Sequence, residues 1–206
     1  MASRRHLQVK QTLRAGLSVL AFTALAIGCG PGDEKADRKP TMNMQQGAER
    51  ADAILQETLG AVRPELKWNH GPGGSAGCTK GVAGAATGTG SAKRSITILT
   101  IVSEQRRGAL IGVIERDWKS RGYKITGVRQ AAEAPAVYAS TPDGYSLSVE
   151  VAGEGQFFLD AATPCLTDSS VMDPMTQPNT SQRKGPFPQR PDEQDEFWSA
   201  TTPVQQ

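Results

Sequence analysis

Aromatic residues are scarce, with five Phe, three Tyr and three Trp among 206 residues, and only 37% of the chain is hydrophobic. A composition this lean cannot bury itself throughout, so a small core with flexible flanks is expected. Histidine is scarcer still, at two residues, His6 and His70, beside three cysteines. No ligand cluster of zinc spacing can be assembled from so few, and neither a metal nor any other cofactor is expected. Net charge is almost absent, because 23 Lys and Arg face 21 Asp and Glu for a formal +2. Four of those basic residues, Arg4, Arg5, Lys10 and Arg14, stand in the opening segment, which leaves no basic surface for nucleic acid. The apolar run over residues 15–28 falls short of the roughly 20 residues that a bilayer-spanning helix takes.

What that opening segment does have is order. A basic stretch leads into the apolar run, and Cys29 follows it directly, which is the layout of a cleaved export signal. Ala26-Ile27-Gly28-Cys29 resembles the bacterial lipobox, with Ala26 where Leu is usual and Leu25 one place earlier. Residues 1–28 are therefore expected to be a lipoprotein signal peptide and Cys29 the lipidated residue. A diacylglyceryl thioether carries two acyl chains, as stable attachment requires. Ser3-Arg4-Arg5-His6-Leu7 resembles the twin-arginine export motif, so both export routes stay open. Residues 29–41, polar and proline-bearing, suit a flexible tether.

With Cys29 assigned to lipid, Cys78 and Cys165 remain, an even pair in an oxidising compartment, and they are expected to form a disulfide. A catalytic thiol at Cys78 would need a base to lower its pKa and a partner that escapes oxidation outside the cytoplasm, and the stretch supplies no such base.

Residues 42–166 carry the periodic signals. Met44, Ala48, Ala51, Ile54, Leu55, Leu59 and Val62 recur at helical spacing up to Pro64. A short strand is expected over 65–70 and, because glycine crowds the next stretch, a loop over 71–90. Residues 95–103 alternate Ile with Thr and read as a central strand. A helix follows over 106–121, with Leu110, Ile111, Ile114 and Trp118 on one face and Gly122 as its stop. Four strands then follow over 123–130, 136–141, 145–152 and 156–162, joined by turn sequences such as Thr141-Pro142-Asp143-Gly144. The expected fold is α+β in two layers, an antiparallel sheet of about four to five strands with two helices on one face. Residues 167–206, rich in Pro, Gln, Ser and Thr, are expected to be a disordered tail.

The segment from Trp68 to Cys78, WNHGPGGSAGC, looks most like chemistry. Gly73-Gly74-Ser75-Ala76-Gly77 matches G-x-S-x-G, but a hydrolase of that pattern needs a histidine after the serine, and none follows Ser75. Residues 84–93 approach a phosphate loop, yet Ser91-Ala92 separate Gly90 from Lys93, and a strand follows where a helix is required. No catalytic constellation emerges, and the domain is expected to be non-enzymatic. Trp68, His70, Tyr138 and Tyr145 are the candidate binding residues, since a partly exposed ring can stack on a sugar or peptide.

The lipobox, the Trp68, Cys78, Trp118-Lys119-Ser120-Arg121-Gly122-Tyr123 and Pro164-Cys165 arrangement, and the Ala- and Gly-rich composition together resemble small lipoproteins of high-GC Gram-positive bacteria. That resemblance implies attachment to the cell membrane through lipid, on its extracytoplasmic face. The expected function is binding of a cell-envelope component or a partner protein. A cell-wall enzyme with an acidic site, or a structural or assembly spacer, are the alternatives, and oligomeric state stays open.

Overall fold

A computed structural model of the chain describes residues 40–181, 183, 185 and 187–202, all within the compact unit Lys39–Gln206. The expected signal peptide, the lipidation at Cys29 and nearly all of the expected tether lie outside the described residues.

Helix α1, Met44–Gly60, begins at Asn43, whose side chain accepts from the Gln46 backbone while the Gln46 side chain accepts from the Asn43 backbone. This reciprocal capping box satisfies two of the helix's otherwise unpaired N–H groups. After it come β1 (Trp68–His70), β2 (Gly74–Lys80), β3 (Ala85–Ile98), α2 (Glu104–Ser120), β4 (Lys124–Arg129), β5 (Ala136–Ser140), β6 (Ser146–Val151), β7 (Phe157–Ala162) and β8 (Leu166–Thr167). All pairings are antiparallel, in the order β1-β3-β7-β6-β5-β4, with β2 and β8 also paired to β3.

The class is α+β, but the sheet has eight strands, not four or five. The difference lies in residues 71–90, expected as a loop. Most of that stretch is a β-hairpin, because Gly74 to Lys80 pair with Lys93 back to Ala85 and the turn opens on Gly81 and Gly84, both at positive φ. Its residues are largely exposed on both faces, so the ladder stands on backbone hydrogen bonds with no apolar alternation to announce it. The hairpin is an arm that continues β3 beyond the core.

The core forms between the helices and one sheet face. Register sets Ile96, Leu159, Val149 and Val137 side by side across β3, β7, β6 and β5. These pack with Ile54, Leu55 and Leu59 of α1 and Ile111, Ile114 and Trp118 of α2. The Trp118 indole donates to Thr58 Oγ1 at 3.0 Å, and Thr58 donates in turn to the Ile54 carbonyl, so the polar atoms at this buried helix contact are satisfied. On the opposite face the same strands carry Ser95, Asp160, Ser148 and Tyr138 in one row.

Cys78 and Cys165 are joined by a disulfide, with Cα atoms 6.2 Å apart. Gly77 and Leu166 are both register partners of Gly90, so each cysteine adjoins a partner of that glycine, and the bridge ties together the strands on the two sides of β3.

The tail expected to be disordered is instead packed. Asn179 accepts from Trp68 N at 2.9 Å and donates to the Leu66 carbonyl, while Thr180 donates to the Trp68 carbonyl at 2.9 Å. Side chains of the tail thus cap the outer edge of β1, which would otherwise be open to pairing. Farther on, Ile101 N donates to the Glu193 carbonyl, and Trp198 enters the core at 1% exposure with its indole donating to the Pro64 carbonyl. Phe197 lies 4.5 Å beneath the Arg106 guanidinium. Its low aromatic content had hidden an anchor that needs only these two rings.

Candidate functional site

The edge where β1 passes into β2 is irregular. His70 pairs with Ile96 and Gly74 with Lys93, so residues 71–73 stand opposite only residues 94 and 95. The extra residue is a bulge. Gly71 approaches β3 so closely that a Cβ there would lie 2.6 Å from Ser95 Oγ, which leaves glycine the fitting residue. Across from this bulge the tail residues 171–180 pass by, and between the two lies a cleft of about 660 Å³.

The cleft is lined by Asn69, His70, Ser75, Arg94, Thr176 and Arg183 among others, and is more polar than apolar. Arg94 comes from β3, where its register partner Ala161 belongs to the core face, so the sequence places a cation among apolar neighbours. Only 6% of its side chain is exposed. Its Nε donates to Asp52 Oδ2 of α1 at 3.1 Å and its Nη2 to the Met172 carbonyl at 2.6 Å. A buried guanidinium held by a carboxylate and a carbonyl is a fixed group. Burial pushes the Asp52 carboxyl above the ordinary carboxylate range, against the opposing pull of Arg94 and of His70. Asp52 stands behind the guanidinium and does not line this cleft, which separates it from the position an acid catalyst would occupy.

His70 is fixed as well. Its Nε2 lies 2.7 Å from the Thr176 carbonyl, which can only accept, so Nε2 carries the proton. The ring meets Trp68 edge-on with centroids 5.3 Å apart. Asn69 Oδ1 accepts from His70 N at 2.8 Å, which sets the amide orientation and points its donor nitrogen away from that contact.

The four candidate binding residues therefore separate. His70 is in the cleft. Trp68, at 5% exposure, is a core residue under the edge, and Tyr145, at 2%, is buried with its hydroxyl donating to the Gly47 carbonyl, so neither offers a ring to a ligand. Apolar surroundings took both rings because so few other large side chains were on hand to fill the core. Tyr138 stands on the sheet face away from the helices, where its hydroxyl donates to Glu150 Oε2 at 2.9 Å and Arg129 lies 3.6 Å from the same oxygen. Burial, and then the bond to Glu150, push its phenol above the ordinary range. On that face Lys93 pairs with Asp160 at 2.8 Å, and Phe158 meets Phe187 of the tail. Among the described residues no group of three His, Cys, Asp or Glu gathers to hold a metal.

Sequence reasoning missed Asn69, Arg94 and the whole tail side of the cleft. One signal was available for Arg94, a charge inside an apolar alternation, matched by Asp52 on the apolar stripe of α1. Nothing in a proline- and threonine-rich segment announced the other wall.

Neither protein-family models nor curated proteins match this chain. Among solved structures, it is similar to a DUF4853 family protein from Actinomyces odontolyticus ATCC 17982, at 12% identity and a TM-score of 0.38, over 70% of this chain and 78% of that one.

Proposed function

We propose that the protein is an extracytoplasmic lipoprotein, anchored in the cell membrane through Cys29, whose domain is non-enzymatic and binds a cell-envelope component or partner protein in the cleft between the strand bulge and the tail. The observation that carries the binding part is the cleft's construction. Its walls are a glycine bulge and a chain segment pinned by side-chain hydrogen bonds, and His70 and Arg94 are each held by hydrogen bonds, as a preformed ligand site requires. The disulfide between Cys78 and Cys165 supports export, since such bonds persist in oxidising compartments. Residues 1–29 supply the signal and the anchor that export and attachment need.

Two measurements test this reading. Cys29→Ala should abolish metabolic lipid labelling and release the protein from membranes, and unchanged membrane retention would refute the anchor. A photoreactive residue at Ser75, in the cleft, should capture a discrete species in intact cells, while the same residue at Val82, at the tip of the arm, should not. Equal capture from both positions would refute the cleft as the site.

A further inference from the structure

We propose that the protein has a second binding site, for a neutral sugar ring, on the sheet face away from the helices; it is a cavity distinct from the cleft and stands whether or not the cleft holds a ligand. The cavity measures about 430 Å³, within the range of small-molecule sites. Antiparallel register brings its polar and aromatic groups to one face. Phe158 pairs with Glu150 across β7 and β6, and Asp160, two places along from Phe158, pairs with Ser95 of β3. Lys93 stands two places before Ser95, and Arg129 ends the row that runs from Phe158 through Glu150 and Ala136. These six side chains line the cavity together with Pro72 of the bulge and Phe187 of the tail.

Three features select a sugar. The first is an aromatic wall. Phe158 and Phe187 meet with centroids 5.6 Å apart and a tilt of 48°, and Phe187 is 49% exposed, so ring surface is left for the C–H face of a sugar. The second is a set of polar groups held in place. Lys93 is fixed by Asp160 at 2.8 Å, Arg129 by the Ala134 carbonyl at 2.7 Å, and Glu150 by the Tyr138 hydroxyl at 2.9 Å. Side-chain exposures of 47% at Lys93, 44% at Arg129 and 36% at Glu150 keep all three within reach of a ligand. Ammonium and guanidinium groups only donate and a carboxylate only accepts, whereas a hydroxyl does both, so a ring that bears several hydroxyls can bond to each of them. The third is charge balance. Asp160 matches Lys93, and Glu150 matches Arg129 at 3.6 Å, so the lining favours neither an anion nor a cation. Other occupants fit less well. An acyl chain or an apolar side chain would take water from the two ion pairs and return no hydrogen bond. An extended peptide needs an unpaired strand edge, and β3, β7 and β6 each have a neighbour on both sides.

The test titrates the folded protein, with its disulfide, with methyl glucoside, methyl mannoside, N-acetylglucosamine, glucuronate and N-acetylphenylalanine amide, while the backbone amide resonances of Glu150, Ala152 and Phe158 are followed. At least one of the three neutral sugars should shift them, glucuronate should bind no more tightly than that sugar, and N-acetylphenylalanine amide should leave them in place. Phe187→Ala removes a half-exposed ring, and Lys93→Met keeps the apolar stem without its donors. Each should weaken the sugar by about tenfold while the thermal transition stays where it is. Resonances unmoved by all three neutral sugars, tighter binding of glucuronate or of N-acetylphenylalanine amide, or a parental affinity in both variants would overturn the assignment. Sugar-induced shifts confined to Ser75 and Thr176 would place the sugar in the cleft, which overturns this second site and leaves the cleft reading standing. The crosslinking from Ser75 judges the cleft independently.

Discussion

Glycines inside helices show how far a single residue's context decides its effect. Gly108 in α2 has nothing within 4 Å of the position a Cβ would take, whereas at Gly47 in α1 that position lies 2.2 Å from Leu166 Cδ1 and 3.1 Å from Thr163 Cγ2. Alanine is favoured over glycine in a helix interior by up to about 1 kcal/mol, and overpacking costs about 1–3 kcal/mol. Gly108→Ala should therefore stabilise the domain by up to about 1 kcal/mol, and Gly47→Ala should destabilise it by about 1–2 kcal/mol. Urea denaturation of the two variants checks the contrast, and a gain at Gly47 would show that α1 does not sit tightly on β8. Arg94 belongs to the same scale. Its geometry came from two partners remote in sequence, Asp52 and Met172, which no reading of residue spacing connects to it.

At the scale of elements, both helices and the strands from β5 to β7 form close to where periodicity places them, because each has one apolar side that must be buried, while β4, which buries none of its residues, is held by its pairing with β5. The arm and the tail were not legible for opposite reasons. The arm is held by backbone pairing, which glycine, serine and threonine satisfy without leaving any apolar signature. The tail is held by scattered side chains, Asn179, Thr180 and Trp198, separated by residues with no period. So the sheet was under-counted and one wall of the cleft was absent from the sequence reading. The disulfide was legible from cysteine number alone, yet what it does depends on the unexpected arm. It closes a separation of 87 residues and pins β2 to the start of β8 across β3. Replacing both cysteines with serine should lower stability by about 2–5 kcal/mol and raise amide exchange first in β2 and the adjoining half of β3, where no apolar packing compensates. Unchanged protection there would mean that backbone pairing alone holds the arm. Ending the chain after Thr167 removes Trp198 from the core and uncaps β1, so the shortened protein should lose cooperative melting; a soluble protein with the parent's transition would refute a structural tail.

On the scale of the whole molecule, the three tyrosines of the chain report on the folded domain together. Tyr123, Tyr138 and Tyr145 all lie in it, on a loop after α2, on the sheet face away from the helices and in the core. Each phenol is pushed above its ordinary value, in every case first by burial, with the bond to Glu150 adding to this at Tyr138 and nearby carboxylates at the other two. In the unfolded chain these groups return to about pH 10, the usual phenol value. Because the folded values are the higher ones, the unfolded state releases protons first as the solution becomes alkaline. The stability that these groups contribute is thus fully present below about pH 10 and is lost as the pH rises through the folded values. Absorbance of tyrosinate should then appear at higher pH in the folded protein than in denaturant, with the unfolding free energy falling steadily above about pH 10. Tyr138→Phe removes one titrating group from a half-exposed site and should make that decline shallower while changing neutral stability little. A folded protein whose tyrosines titrate together with the denatured chain would mean that the hydroxyls are solvated, and the packing assigned to Tyr145 against α1 and to Tyr138 against Glu150 would have to be given up.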